Sequence, residues 1–149
     1  MDTPPAPASE NEYTEIRLEN KAKSGTLKLV SISFEHGRMY QEGDRDKELN
    51  QSDVENHEIN AGDFYVFRAC GKKGAAVGVE ATFKLRDKDT GKDELSIYFV
   101  NPWGSDPNDL RVSDVYMDPA WGGKITVSGG IGHKTGPLGD VTVQFKKWA

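Results

Sequence analysis

The sequence predicts an all-β fold, either a sandwich or a barrel, from three features. Apolar and polar residues alternate over several short segments, as in strands with one buried face. These segments recur about every ten residues and are joined by Gly, Pro and Asp turns. No segment keeps the i, i+3, i+4 spacing of an amphipathic helix. Short, evenly spaced strands without helices are typical of two packed sheets or of one closed sheet.

The first part of the chain is predicted to supply three extended segments. Residues 13–20 alternate regularly, with Ile16 and Leu18 facing inward. The apolar phase changes within residues 26–34, which predicts a strand with a β-bulge near Leu29–Val30. Residues 36–44 are predicted to be a short extended piece that ends in a turn.

The segment at residues 44–48 alternates acidic and basic side chains and spaces its acids like an EF-hand calcium loop. Position six of such a loop must be glycine, whereas Leu49 stands there, and no amphipathic helices flank the segment. We therefore predict a solvated charged loop, followed by a single helical turn within residues 50–57.

The second part is predicted to hold the central strands. Residues 64–69 are apolar on both faces, as in a central strand. Residues 71–78 form a basic loop rich in Gly and Ala, and residues 78–86 show the clearest alternation in the chain. The remaining predicted elements are a hairpin turn at 87–91, its partner strand at 92–100 and further strands near 110–116, 124–128 and 140–147.

The loop after the strand at 92–100 is the first candidate for a binding site. Tyr98 lies near the end of that strand, and Pro102 removes a backbone donor and ends the ladder. Trp103 is then expected on a loop that Gly104 keeps turning. A loop indole suits a boundary between water and an apolar phase, although it can also fold back as a lid on a sandwich end. A second tryptophan, Trp121, is expected on another loop.

The chemistry of catalysis is sparse in this sequence. The three histidines have no metal-ligand spacing, and Cys70 is expected to be a buried small apolar side chain. No nucleophile motif and no close carboxylate pair occurs. We expect no enzyme activity, no cofactor and no metal. The net charge of −5 argues against a nucleic-acid partner.

The N-terminal residues 1–12 are rich in Pro, Ala and acid and predict a disordered arm before one domain at 13–149. They lack the basic end and apolar centre of a signal peptide, so we expect synthesis in the cytoplasm without a signal peptide.

Four motifs in order resemble the aegerolysin family, over roughly residues 14–147. They are the glycine-rich and charged run at 37–48, Ala-Cys-Gly-Lys at 69–72, the segment from Tyr98 through Pro-Trp-Gly-Ser, and Gly-Pro-Leu-Gly-Asp-Val-Thr-Val at 136–143. The resemblance implies a compact antiparallel β-sandwich that acts outside the cell on target membranes. It implies recognition of sphingolipid head groups and cooperation with a larger, pore-forming protein of the perforin (MACPF) class. Two-part toxins of this kind include haemolytic and insecticidal ones.

Two other functions remain open. A β-sandwich of this size could bind sugars or proteins with no membrane role. Pore formation by this chain alone is less favoured, because no long amphipathic hairpin is present to span a bilayer.

The resemblance and the residue pattern together give a set of lipid-contact candidates. Family members that recognise sphingomyelin carry Glu where Val77 stands, and the Lys that the family carries three residues after its loop Trp is replaced here by Asp106. These departures predict a preference other than sphingomyelin with cholesterol, for which ceramide phosphoethanolamine is one candidate. The candidate residues are His36, Arg38, Lys72, Lys73, Tyr98, Trp103, Gly104, Asp106 and Trp121.

Overall fold

The computed structural model describes residues 12–72, 78–102, 104, 106–115 and 121–148, which form two β-sheets and one helical turn. The elements are β1 Tyr13–Asn20, β2 Leu27–His36, β3 Arg38–Gln41, β4 Asp44–Leu49, α1 Gln51–Val54, β5 Glu58–Ile59, β6 Phe64–Cys70, β7 Val79–Asp87, β8 Asp93–Asn101, β9 Asp109–Asp114, β10 Trp121–Val127 and β11 Gly139–Lys147.

The two sheets form the β-sandwich that the resemblance predicts. One sheet has the order β10-β11-β1-β6-β3-β4, and the other has the order β5-β2-β7-β8-β9. Among the described strand pairs, β1 and β11 run parallel. The other pairs are antiparallel. The predicted all-β sandwich is therefore confirmed. It differs from a purely antiparallel one in the parallel pairing of β1 with β11.

Strands with one apolar face lie where alternation predicts them. The prediction for β1 is confirmed at both ends. In β2 the register to β7 shifts between Val30 and Ser33, and Ser31 takes a φ of 55°. Leu29 and Val30 are both buried, as the predicted change of phase requires.

The prediction of a loop at residues 44–48 is wrong, since these residues lie in strand β4. This strand is an edge of its sheet and pairs with β3 alone, and its side chains from Asp44 to Glu48 are exposed. Charged side chains are common on edge strands because they discourage pairing with other chains. The alternating charges were therefore solvated, as predicted, but on a strand.

The core fills the space between the two sheets. Phe67, Phe83 and Phe99 meet at its centre, with ring centroids 4.5 to 6.5 Å apart. The predicted helical turn is confirmed as α1, and it contributes Val54, which is 2% exposed. Residues 64–69 prove to be central, because β6 lies between β1 and β3.

The registers define two ends of the sandwich. At the first pole, Tyr13 pairs with Cys70 and Val79 pairs with Asn101. At the second pole, Asn20 pairs with Phe145, Leu27 with Asp87 and Trp121 with Lys147. The first pole also holds His36, Arg38 and Asp109, and it is there that most of the predicted site residues lie.

Candidate functional site

Close backbone approaches hold the strand ends together at the first pole. Gly37 joins β2 to β3 with a φ of +93°, and a Cβ on it would lie 2.6 Å from the carbonyl oxygen of Cys70. A Cβ on Gly78 would overlap the carbonyl oxygen of Asn101. Both positions therefore require glycine, and they bring the connections after β2, β6 and β8 to one end of the molecule.

Tyr98 lies on the outer face of its sheet near the first pole. Its hydroxyl donates a hydrogen bond to Glu80 Oε2 at 2.6 Å, and the Arg111 guanidinium lies 6.0 Å from its ring centroid. Arg111 Nε in turn donates to Asp109 Oδ2 at 2.7 Å. Burial, followed by the hydrogen bond to Glu80 and the negative charge of that carboxylate, raises the pKa of Tyr98 to about 12. The phenol is therefore a neutral, oriented group at physiological pH.

His36 lies on the same outer face of the sheet as Tyr98, in the neighbouring set of cross-strand pairs. It pairs in register with Glu80 of β7, which pairs with Val100 of β8, which pairs with Asp109 of β9. The His36 side chain is exposed. The structure thus brings His36 and Tyr98 to one face, with acidic groups between and beside them.

Arg38 and Lys72 line one shallow depression of about 190 Å³ at the first pole, together with Phe34. Arg38 is 8% exposed, and its Nη2 donates to the carbonyl oxygen of Arg45. Its Nη1 is buried without a hydrogen-bond partner. Lys72 is exposed. Arg38 is mostly withdrawn from the surface, so a ligand would meet Lys72 first.

The loop after β8 begins and ends at the first pole. Gly104 and Asp106 are exposed, and Gly104 has a φ of +117°. Trp103, Lys73 and Val77 lie outside the described residues, so their predicted roles remain predictions.

The prediction of a loop position for Trp121 is wrong. Trp121 begins strand β10, is 0% exposed, and lies at the second pole. Its Nε1 donates to Asp87 Oδ2 at 3.0 Å, and Lys147 Nζ lies 5.6 Å from its ring. The Gly-Gly pair that follows it made a turn plausible, but those glycines continue the strand. Trp121 is a core residue in this structure and is not among the lipid contacts proposed below.

Two buried asparagines at the base of the loop were missed by the sequence analysis. Asn101 Oδ1 accepts from the Leu138 N–H at 2.8 Å, and its Nδ2 lies 2.9 Å from Asn108 Oδ1 and next to the Glu12 carboxylate. Asn108 Nδ2 donates to the Gly130 carbonyl at 3.2 Å. Asn101 continues the inward phase of Leu95, Ile97 and Phe99, so a polar residue at an apolar position was the available signal.

The chemistry open to this pole is recognition through hydrogen bonds and charge. Among the described residues, no three His, Cys, Asp or Glu side chains lie close enough to hold a metal ion. No helix in the described ranges is long and apolar enough to cross a membrane. Glu12 contributes a half-buried carboxyl whose pKa is raised by partial burial, an effect that its hydrogen bond from Asn101 opposes.

The molecule is thus a two-sheet β-sandwich whose strands present a tyrosine, an exposed histidine and a loop at one end. A sequence model of the Aegerolysin family matches residues 11–148. The chain belongs to the Aegerolysin family.

Three characterised fungal proteins are similar in sequence. Asp-hemolysin of Aspergillus fumigatus is 29% identical over 69% of this chain and 73% of its own length. Aegerolysin Aa-Pri1 of Cyclocybe aegerita is 26% identical over 80% of this chain and 85% of its own length. Ostreolysin A6 of Pleurotus ostreatus is 29% identical over 89% and 93% of the two chains.

Two solved structures share the fold at low identity. The RahU protein, crystallised with a TRIS molecule, has a TM-score of 0.82 at 20% identity over 94% of this chain and 98% of its own. IP-1A from Alcaligenes faecalis has a TM-score of 0.79 at 23% identity over 95% and 94% of the two chains.

Proposed function

We propose that this chain binds sphingolipid-containing membranes through its first pole, as the recognition component of a two-part pore-forming toxin. A larger protein of the MACPF class would then insert and form the pore. Membership of the Aegerolysin family supports the proposal, as does the name of Asp-hemolysin, which denotes a haemolytic relative. The observation that carries it is the meeting of Tyr98, His36 and the loop after β8 at one end of a rigid sandwich.

The groups at this pole suit a zwitterionic head group. Glu80, Asp106 and Asp109 supply negative charge for an ammonium group, while Lys72 and Arg111 supply positive charge for a phosphate. The Tyr98 hydroxyl, fixed by Glu80, orients its ring beside them. Trp103 would enter the interface between head groups and acyl chains, where indoles partition well.

The same charges favour one sphingolipid over another. Asp106 stands where the family carries a Lys three residues after its loop Trp, and it is exposed. A small primary ammonium approaches a carboxylate more closely than a trimethylated one does. Ceramide phosphoethanolamine is therefore the proposed lipid, with little dependence on sterol.

Binding to vesicles tests the proposal directly. We expect the chain to sediment with vesicles that contain ceramide phosphoethanolamine, and not with vesicles of phosphatidylcholine alone. A sugar- or protein-binding module would ignore all of these vesicles. Tight, cholesterol-dependent binding to sphingomyelin vesicles would contradict the proposed lipid preference.

Leakage of an entrapped dye from the same vesicles tests the two-part scheme. We expect binding without release when this chain is added alone, because in the proposed scheme the larger partner inserts and forms the pore. Strong release by this chain alone would contradict the need for a second protein.

An exchange of charge at Asp106 tests the proposed preference. Asp106→Lys should weaken binding to ceramide phosphoethanolamine vesicles several-fold, because a difference of roughly 1 kcal/mol is expected for a partly exposed charge contact. Asp89→Lys makes the same exchange in the exposed turn at the second pole and should leave binding unchanged. Equal losses in both variants would mean that net charge alone, rather than a site, governs binding.

A further inference from the structure

The second pole carries a groove that the proposed membrane role does not use. Trp148 is 65% exposed, and it lines a cavity of about 360 Å³. A volume of this size lies within the range of small-molecule sites. The other lining residues are Asp114, Gly122, Gly123, Lys124, Thr126, Gln144 and Lys146.

Two glycines within strand β10 form the floor of this groove. A Cβ on Gly122 would lie 2.5 Å from Trp148 Nε1, and a Cβ on Gly123 would lie 2.7 Å from a methyl carbon of Val112. Glycine weakens a strand interior and often marks a close approach by another group. Here Gly122 has no side chain, which allows the Trp148 indole to lie against strand β10. The indole therefore forms an aromatic wall beside the flat backbone of the two glycines.

The surroundings of the groove are strongly basic for a chain of net charge −5. Lys146 also lines a second cavity of about 360 Å³, whose other cations are Lys21, Lys23 and Lys147. Lys21 and Lys147 have acidic neighbours in Glu19 and Asp87, each at 3.8 Å. Within the described residues, Lys23, Lys124 and Lys146 form no ion pair. A concentration of positive charge on an acidic protein attracts anionic ligands.

We infer that this groove binds an anionic saccharide, that is, a sugar that carries sulfate, phosphate or carboxylate groups. Trp148 would stack on the apolar face of a sugar ring, while Gln144, Thr126 and Asp114 would bond its hydroxyls. The lysines of both cavities would meet its anionic groups. The mixture of an amide, a hydroxyl, a carboxylate and one aromatic wall fits the hydroxyls and ring face of a saccharide better than an acidic peptide, which offers few hydroxyls to these groups. The inference is independent of the membrane role at the first pole.

Titration calorimetry of the full chain with a sulfated heparin tetrasaccharide tests the inference. We expect saturable binding that weakens as salt rises, since exposed charge contacts are screened. The desulfated tetrasaccharide should bind at least tenfold more weakly, and inorganic phosphate should compete poorly. Equal binding of the desulfated sugar, or equally effective competition by phosphate alone, would overturn the inference.

Substitutions in the groove test whether the ligand binds there. Trp148→Ala, and separately Lys124→Gln with Lys146→Gln, should each weaken binding at least tenfold, while thermal melting confirms that the variants fold. Phe64→Ala removes another half-exposed aromatic side chain and Lys134→Gln removes an exposed lysine from a different loop, and both should bind normally. If Trp148→Ala bound normally, or if a single-stranded oligonucleotide bound as tightly as the sugar, the inference would be wrong.

Discussion

The two poles of the sandwich are closed by different chemistry. At the second pole a buried indole, Trp121, fills the space between the sheets and donates one hydrogen bond to Asp87. At the first pole two buried amides, Asn101 and Asn108, tie loops from both sheets together. A buried apolar side chain stabilises the fold but does not fix the conformation of a loop. Hydrogen bonds from a side-chain amide do fix it, because they require particular positions of the loop backbone. We therefore expect stability to depend more on the second pole and loop geometry to depend more on the first.

Removing the indole at the second pole should have the largest effect on stability. Trp121→Ala should lower the free energy of unfolding by about 3–5 kcal/mol, because it leaves a cavity and removes a donor from buried Asp87. For a domain of this size, that corresponds to a fall in Tm of roughly 10 °C or more. Chemical and thermal unfolding measure both quantities. Vesicle binding by the folded fraction should be unchanged, and a loss of binding equal to that of first-pole variants would contradict the comparison.

Trp121→Phe separates the two contributions at that site. It keeps much of the side-chain volume and removes the N–H, so its free energy of unfolding should fall clearly less than that of the alanine variant.

Removing an amide at the first pole should have a smaller but more directed effect. Asn101→Ala should cost about 2–3 kcal/mol, because the buried Leu138 N–H and the groups around the amide lose their partner. It should also weaken vesicle binding, since the loop after β8 loses its anchor. Urea unfolding and vesicle sedimentation on one preparation test both effects. An unchanged affinity would show that the amide cluster does not organise the binding loop.

Trp103→Ala should give the opposite pattern to Trp121→Ala. Burial of an indole at a membrane interface contributes up to a few kcal/mol, so binding should fall by tens of fold, equivalent to about 2 kcal/mol. If Trp103 instead acts as a lid on the sandwich, Tm will fall and the affinity of the folded protein will stay the same.

A buried carboxyl at the second pole should make stability depend on pH. Glu94 is 0% exposed, and burial, followed by the negative charge of Asp87, raises its pKa above the ordinary value of 4.5. Because the pKa of Glu94 is higher in the folded state than in the unfolded state, Glu94 makes its full contribution to stability at pH values below its unfolded pKa. That contribution is lost as pH rises through the folded value.

Glu94→Gln should remove this dependence. Urea midpoints measured from pH 4 to 7 should decline less with rising pH in the variant than in the wild type. Glu12 at the other pole also has a raised pKa, so Glu12→Gln should flatten the profile further when it is combined with Glu94→Gln. Identical pH profiles for wild type and Glu94→Gln would contradict the assigned shift.

The sequence predicted the features that depend on neighbouring residues, and it missed those that depend on pairing between distant strands. Alternation identified most strands, including β1 and β7, and the change of phase at Leu29–Val30 located the bulge. The parallel pairing of β1 with β11 had no local signal, because the partners are far apart in sequence. The burial of Trp121 depends on β10 pairing with β11, and glycines after a tryptophan suggested a turn instead.

The candidate site was predicted in part, for the same reason. Tyr98 and His36 share a face because three strands bring them there, which the sequence could not show. The acidic partner of Tyr98, Glu80, lies 18 residues away on the neighbouring strand. Residue types suggested an aromatic site, but only the register identifies which charges surround it.

The position of β11 between β1 and β10 also has a consequence for synthesis of the protein. Gln144 of β11 bonds Glu19 of β1, 125 residues earlier in the chain. At the usual rate of translation of ~5–20 residues per second, β1 waits roughly ten seconds on the ribosome for its parallel partner. Throughout that time one edge of β1 lacks its final neighbour. The charged side chains of Glu15, Arg17 and Glu19 face outward along it, so the nascent sheet carries its own protection against pairing with other chains.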